Sequence, residues 1–292
     1  TAYSLIKANS IISSFKPAVV LGTGGYVCGP ILMAAALRNI PTLIQEQNVI
    51  AGITNKILSR FVDVVAVGYN EAAKSFDKAK QVVYTGNPVR PDVLVDSRVE
   101  GRKHFGLSDD IFTVLIAGGS RGARTINNAM IDVHKHFQGK DGIKLIHITG
   151  NGEYTSVLEK LGINDGSGLG ESSLILPYLH DMPKALAATD LAVFRSGAIG
   201  LAELAVRGIP SVLVPYPYAA EDHQTYNARI FVQEGAAHMI VDKVLTSHDL
   251  IGEIEMFMAN RELLAQMGAS ALHLGKPNAA HDIAELALSI AK

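Results

Sequence analysis

Three glycine-rich turns carry the most suggestive chemistry in this sequence. "LGTGGYVCGP" (21–30), "AGGSRGART" (117–125) and "RSGAIG" (195–200) each follow an apolar, β-branched run and lead into a helical pattern. Glycine lets the backbone approach a phosphate closely, and a helix start adds unpaired N–H groups and about half a positive charge. None of the three reads G-x-G-x-x-G with an acid about 20 residues on, and none reads G-x-x-x-x-G-K-[ST], so both nucleotide fingerprints fail. One glycine turn after a strand is commonly structural. Three at strand ends in one chain point to a phosphate or diphosphate.

The third turn opens "AIGLAELAVR", whose one acid, Glu203, falls in the second turn of a helix starting near Ala198. A carboxylate there can bridge a vicinal diol such as a ribose or complement the helix dipole, and spacing leaves both open. Downstream, "VPYPYAAEDHQTYNA" (214–228) sets Asp222, His223, Gln224 and Asn227 at a helix start. That suits either sugar hydroxyls or a capped surface helix. Metal chemistry is not expected: His134 and His136 face different sides of a helix, and no D-x-D occurs. Asp109 and Asp110 read as a turn or cap, Cys28 as a small packed residue, and Tyr216 and Tyr218 as loop packing.

The elements that must position these residues alternate. Strands are predicted at 18–22, 41–45, 62–67, 81–86, 112–118, 144–150, 173–176, 191–195, 210–215 and 238–241. Helices are predicted near 29–38, 50–60, 121–136, 181–188, 198–207, 222–234, 246–258, 260–273 and 277–291. Short strands alternating with helices mean βαβ units, and near-continuous apolar strands mean parallel sheets covered on both faces. The two-proline stretch "TGNPVRPDVLVDS" (85–97) is the best domain boundary, and 162–172 reads as a surface loop.

A chain of 292 residues is comfortable for two domains, and 48% hydrophobic with 18% charged residues is ordinary globular composition. A net charge of −2 argues against a nucleic-acid binder. The single cysteine allows no internal disulfide and fits a reducing compartment. No apolar run is long enough to span a membrane, and no signal peptide is evident. The chain starts at Thr1 directly in a helical pattern with no cap, which reads as a sequence lacking upstream residues.

In order, "KPAVVLGTGGYVCGP", "QEQNVIAGITNK", "TGNPVR", "AGGSRGAR", "YLHDMPKALAATD", "RSGAIGLAELAVRGIPSVLVPYP" and "DHQTYNA" closely resemble one family across the whole chain. It is the MurG family of undecaprenyl-diphosphate-muramoylpentapeptide β-N-acetylglucosaminyltransferases, which make lipid II in peptidoglycan synthesis. The resemblance implies a GT-B fold, two Rossmann-like α/β domains facing a cleft. It divides the chain into an incomplete acceptor-side domain (1–92), a UDP-sugar domain (93–276) and a final helix (277–292) crossing back to the first. It implies UDP-N-acetylglucosamine as donor and lipid I as acceptor, with inversion and without cofactor or metal. The place of action would be the cytoplasmic face of the plasma membrane, peripherally, beside proteins of cell-wall synthesis and division.

By this likeness Leu179 offers backbone contacts to uracil and Glu203 holds the ribose. Ser120 and the helix start Ala198, Ile199, Gly200, Leu201 and Ala202 face the diphosphate. Arg90 lies near the phosphates, His223 and Gln224 read the sugar, and Asn48 reaches the donor from the other domain. Tyr26 and Glu46 border the acceptor and are the candidate catalytic groups. The sequence departs from the family in two places. It contains no "GGTGGH" loop, whose histidine is a favoured base, and it has Gln45 where the family often has histidine. This 292-residue chain is therefore expected to bind donor and to turn over poorly. The alternatives are a GT-B transferase with another lipid-linked acceptor and a non-catalytic UDP-sugar-binding protein.

Overall fold

The computed structural model describes residues 2–119 and 122–291. These form two compact units, Thr1–Pro88 with Ala219–Tyr226 and Lys276–Lys292, and Val89–Tyr218 with Asn227–Gly275.

In the first unit the parallel strands β1 (Val20–Gly22), β2 (Thr42–Glu46), β3 (Val64–Val67) and β4 (Val82–Tyr84) lie side by side in chain order. Strand alternation sends Ile44, Val65 and Val67 to one face, against Leu32 of α2 (Cys28–Ala36) and Leu58 of α3 (Ile53–Leu58). Leu43, Val64 and Ala66 point the other way, onto Ile283 and Ala287 of the C-terminal helix (Ala279–Ile290). Helix α1 (Ala2–Phe15) packs Ala8 and Ile12 on Ala34 and Ala35 of α2. Cys28 is packed in this core, and its thiol donates to the Gly24 carbonyl at 2.7 Å.

The second unit opens with two short helices, α4 (Pro91–Val95) and α5 (Arg98–His104). Its six parallel strands are β5 (Phe112–Ala117), β6 (Ile143–Ile148), β7 (Ser173–Leu176), β8 (Leu191–Phe194), β9 (Ser211–Leu213) and β10 (Ala237–Met239). They are arranged β10-β9-β8-β5-β6-β7. From β5 the chain runs outward through β6 and β7, then returns to β8 and runs outward the other way. The strand order therefore reverses between β5 and β8, where open α/β sheets bind their ligands. One face is covered by α6 (Arg124–Phe137) and by Leu250, Ile254 and Phe257, which pack on Val114, Ile116, Val193 and Val212.

Every predicted strand is present, with ends shifted by at most two residues. The structure corrects the reading elsewhere. The stretch 85–97 is not simply a break, because α4 begins at Pro91, and α5 and α7 (Tyr154–Leu161) were not predicted. Their signals are local. Ser97 and Glu100 form a reciprocal capping box at the start of α5, and Gly162 ends α7 at φ +70°. The helix predicted from 222 starts at His223, because Glu221 and Asp222 both adopt left-handed backbone, at φ 55° and 53°.

Helix α5 packs tightly on α8 (Met182–Ala188) through Gly101, where an added Cβ would lie 2.5 Å from the Lys184 carbonyl oxygen. Alanine is the better helix former by about 1 kcal/mol, but overpacking against backbone costs about 1–3 kcal/mol. Gly101→Ala is expected to destabilise the protein by about 1 kcal/mol net, read as a lower urea midpoint. An unchanged or higher midpoint would show that the two helices separate freely.

Candidate active site

Both glycine loops of the second unit flank the reversal of strand order. The loop after β5 places Gly118 so that a Cβ would meet Ala123 Cβ at 2.3 Å, and Gly122 (φ +75°) so that a Cβ would sit 1.9 Å from the Thr149 carbonyl oxygen. Only glycine fits either position. Ser120, expected at the diphosphate, lies outside the described residues.

The loop after β8 enters α9 (Ala198–Arg207) through Gly197, which offers no side-chain cap. The first N–H groups of α9 thus have no side-chain acceptor from the cap residue, and they include those of Ala198, Ile199 and Gly200. Ser196 Oγ beside them is buried and has no hydrogen-bond partner among the described residues. The loop is held from both sides. Asn227 Nδ2 donates to Ser196 O at 3.2 Å, and the Arg195 guanidinium donates to the Val214 and Pro215 carbonyls at 3.0 Å and pairs with Asp242. Arg195 also lies 5.6 Å from the Tyr216 ring, which meets Tyr218 edge-on. No sequence motif points to a role for Arg195. Its long-range partners are what reveal one.

Along α9, Ala198, Leu201 and Glu203 are buried, while Ile199, Gly200 and Ala202 are partly exposed. Glu203 Oε1 accepts from Arg90 Nε at 3.2 Å, and Oε2 accepts no hydrogen bond among the described residues. Burial raises the Glu203 carboxyl from its ordinary value, and the Arg90 guanidinium pulls it back down. Arg90 is half exposed and immediately precedes Pro91 at the start of α4. Leu179 is partly buried in the coil that follows β7. Leu179, both glycine loops and the α9 start therefore share the carboxyl edge of one sheet.

In the first unit Glu46 ends β2, buried, with its carboxylate saturated. Oε1 accepts from Asn48 N (3.0 Å) and Nδ2 (3.4 Å), and Oε2 from Gly52 N (3.0 Å) and Asn55 Nδ2 (2.8 Å). Asn55 is a functional partner that the reading of "QEQNVIAGITNK" missed. Beneath it, Gln45 Nε2 donates to Asn87 Oδ1 at 2.9 Å, and Asn87 Nδ2 donates to Gln47 O at 2.9 Å. Gln45 thus fastens the loop that carries Asn48.

A cavity of about 440 Å³ lies over this loop, lined by Thr23, Gly24, Gly25, Glu46, Asn48 and His223 among others. His223 Nδ1 donates to the Ala220 carbonyl at 2.7 Å, so Nε2 remains for a ligand. Gln224 follows on the same helix, α10 (His223–Gln233). Tyr26 is 85% exposed and does not line the cavity. Among the described residues no group of three or more His, Cys, Asp or Glu is placed to hold a metal ion.

Two Rossmann-like parallel-sheet units with ligand loops at the strand carboxyl ends define a GT-B type α/β protein. The chain belongs to glycosyltransferase family 28: the model of that family's C-terminal domain matches residues 113–286, and that of its N-terminal domain residues 2–67. Among its curated relatives is the UDP-N-acetylglucosamine--N-acetylmuramyl-(pentapeptide) pyrophosphoryl-undecaprenol N-acetylglucosamine transferase of Desulforamulus reducens. The two are 45% identical over 278 residues, covering 95% of this chain and 75% of the relative. The enzyme of the same name from Desulfitobacterium hafniense (strain DCB-2) is 45% identical over 288 residues, covering 99% and 78%. The crystal structure of Acinetobacter baumannii MurG superposes with a TM-score of 0.77 at 30% identity, covering 98% of this chain and 77% of that one.

Proposed function

We propose that this chain transfers N-acetylglucosamine from UDP-N-acetylglucosamine to lipid I, giving lipid II with inversion at the anomeric carbon. The names of its relatives at 45% identity support this donor and acceptor. The observation that carries the donor half is Glu203, buried in the second turn of α9, with Oε1 held by Arg90 and Oε2 without a partner among the described residues.

In this reading the diphosphate takes the N–H groups at the start of α9, with Ser120 and Arg90 nearby. Glu203 Oε2 accepts a ribose hydroxyl, Leu179 meets uracil through its backbone, and His223 and Gln224 read the sugar. The acceptor hydroxyl attacks the anomeric carbon, that carbon's bond to the diphosphate oxygen breaks, and the hydroxyl proton passes to a base. Preorganised N–H groups stabilise the charge that develops on departing UDP. Glu46, already accepting four hydrogen bonds, serves as the anchor of Asn48 and the 50–55 loop, while Tyr26 borders the acceptor. The enzyme works as a peripheral protein at the cytoplasmic face of the plasma membrane, where a lipid-linked acceptor is presented. Among the described residues no helix is long and apolar enough to cross a membrane.

Calorimetric titration of the folded chain with UDP-N-acetylglucosamine tests the donor half, with UDP-galactose and NAD as controls. Selective, saturable binding of the first is expected. Equal binding of all three, or none, would overturn it. A transfer assay with lipid I tests the acceptor half, and transfer only to a different lipid-linked sugar would overturn that.

A further inference from the structure

The opposite edge of the second unit's sheet carries a cavity that the transfer reaction does not use. It measures about 510 Å³, within the range of small-molecule sites. It lies where β8 and β9 begin, lined by Asp190 and Pro210, while the glycine loop that opens α9 lies at the other end of β8. The four residues of β8 separate the two edges by roughly 13 Å.

Three arginines, Arg98, Arg207 and Arg261, line this cavity against one acid, Asp190. That acid is matched by Arg98 and by groups behind the cavity wall, and it reaches neither Arg207 nor Arg261. Its Oδ1 accepts from Arg98 Nη2 at 2.6 Å, and its Oδ2 accepts from Thr113 N at 2.8 Å and faces the buried Arg102 guanidinium at 3.6 Å. Among the described residues Arg207 donates to the Val93 carbonyl alone, at 3.3 Å, and Arg261 lies 4.7 Å over the Phe112 ring. Among the described residues neither has a carboxylate within 4.0 Å. Burial lowers the Arg207 guanidinium from its ordinary value, with Asp96 pulling the other way, so its charge is held at a cost without a paired acid. The remaining wall is made of small residues. Gly208 and Gly268 bring α12 (Arg261–Leu274) close to the chain entering β9, and a Cβ on Gly268 would meet Gly208 O at 2.9 Å.

We propose that this cavity binds a small phosphate-bearing anion at a site separate from that of the donor. Planar guanidinium groups match phosphate oxygens in pairs, and the two uncommitted arginines, with Arg98 at the rim, supply the compensating charge. The phosphate comes either from a free inorganic ion or from the headgroup of a glycerophospholipid.

Titrations of the whole chain with inorganic phosphate, pyrophosphate and glycerol 3-phosphate, in excess UDP, test this. Saturable binding is expected, weakened at least about ten-fold by Arg207→Gln and further by Arg207→Gln with Arg261→Gln. Tighter binding of pyrophosphate points to the free ion, and tighter binding of glycerol 3-phosphate to the headgroup. Arg261 also packs on Phe112, so circular dichroism accompanies the double variant, and the single variant removes little packing. No saturable binding by the parent chain, or binding unchanged in folded Arg207→Gln, overturns the proposal. Because UDP affinity is read separately, failure here is distinct from failure of the donor assignment.

Discussion

Glu203→Ala is expected to weaken binding of the UDP-sugar by about 1–3 kcal/mol, roughly 5–150-fold, as measured by titration calorimetry. The size follows from what the carboxylate offers. Oε2 accepts no hydrogen bond among the described residues, and the burial of Glu203 strengthens any hydroxyl bond formed there. Arg90 loses its acid in the variant, but it is half exposed and stays hydrated, so that loss adds little. A helix-dipole role predicts a different pattern: stability lower by about 0.3–1 kcal/mol and affinity unchanged. The dipole effect also fades within the first turn, and Glu203 is the sixth residue of α9. Glu203→Gln keeps the shape and one acceptor and is expected to fall between parent and alanine. Parent-like affinity in Glu203→Ala would remove the carboxylate from the donor site.

The second large effect is on stability in acid. Within the second unit a buried chain of polar groups runs from Ser173 on β7 through His134 on α6 and His147 on β6 to Asn127 on α6. Asn127 Nδ2 donates to Thr149 O at 2.9 Å, so its Oδ1 must accept from His147 Nε2 at 3.0 Å. His147 Nδ1 then accepts from His134 Nε2 at 3.1 Å, and His134 Nδ1 accepts from Ser173 Oγ at 2.9 Å. Each link has one proton, which requires both rings to be neutral. A further proton on His147 would set two N–H groups against each other, and one on His134 would place a charge in a site fully removed from solvent and turn the Ser173 hydroxyl from donor to acceptor.

Burial accordingly pushes His134 down to about 4, and burial together with His134 pushes His147 well below its ordinary value. The unfolded rings titrate near 6.5. Below that value the unfolded chain binds protons that the folded chain refuses, so stability is full above pH 6.5 and falls as pH drops toward 4. His134 alone removes about 2 kcal/mol by pH 5 and about 3 kcal/mol by pH 4. Urea unfolding at pH 7.5, 6 and 5 measures this. His134→Gln keeps one donor and one acceptor without a titrating group, and is expected to flatten that limb by about 2 kcal/mol at pH 5. Parallel pH profiles for parent and variant would show that the pair does not govern acid stability.

Much of the fold was legible because its signals are local. Runs such as "FTVLIAG" and "LAVFR" are apolar on both faces, which happens when a parallel strand is covered on both sides, and each proved to be a strand. The glycine turns after them were legible for the same reason. Gly122 is required by one carbonyl 1.9 Å from where its Cβ would be, and a missing side chain is visible in sequence. The helices at 98–104 and 154–161 also carried local marks, the Ser97–Glu100 box and Gly162, which a search for apolar periodicity passes over.

The sequence by itself determined the strands and the glycine turns at their ends, because each rests on residues a few positions apart. Tertiary structure alone decided the partners. Arg90 meets Glu203 across 113 positions, Asn55 rather than substrate takes one oxygen of Glu46, and Asp190 spends both its oxygens on one side of a three-arginine cavity. Charge and hydrogen-bond capacity are written in the residue type. Whether they are satisfied within the protein or left for a ligand depends on which distant residues packing brings within about 3 Å.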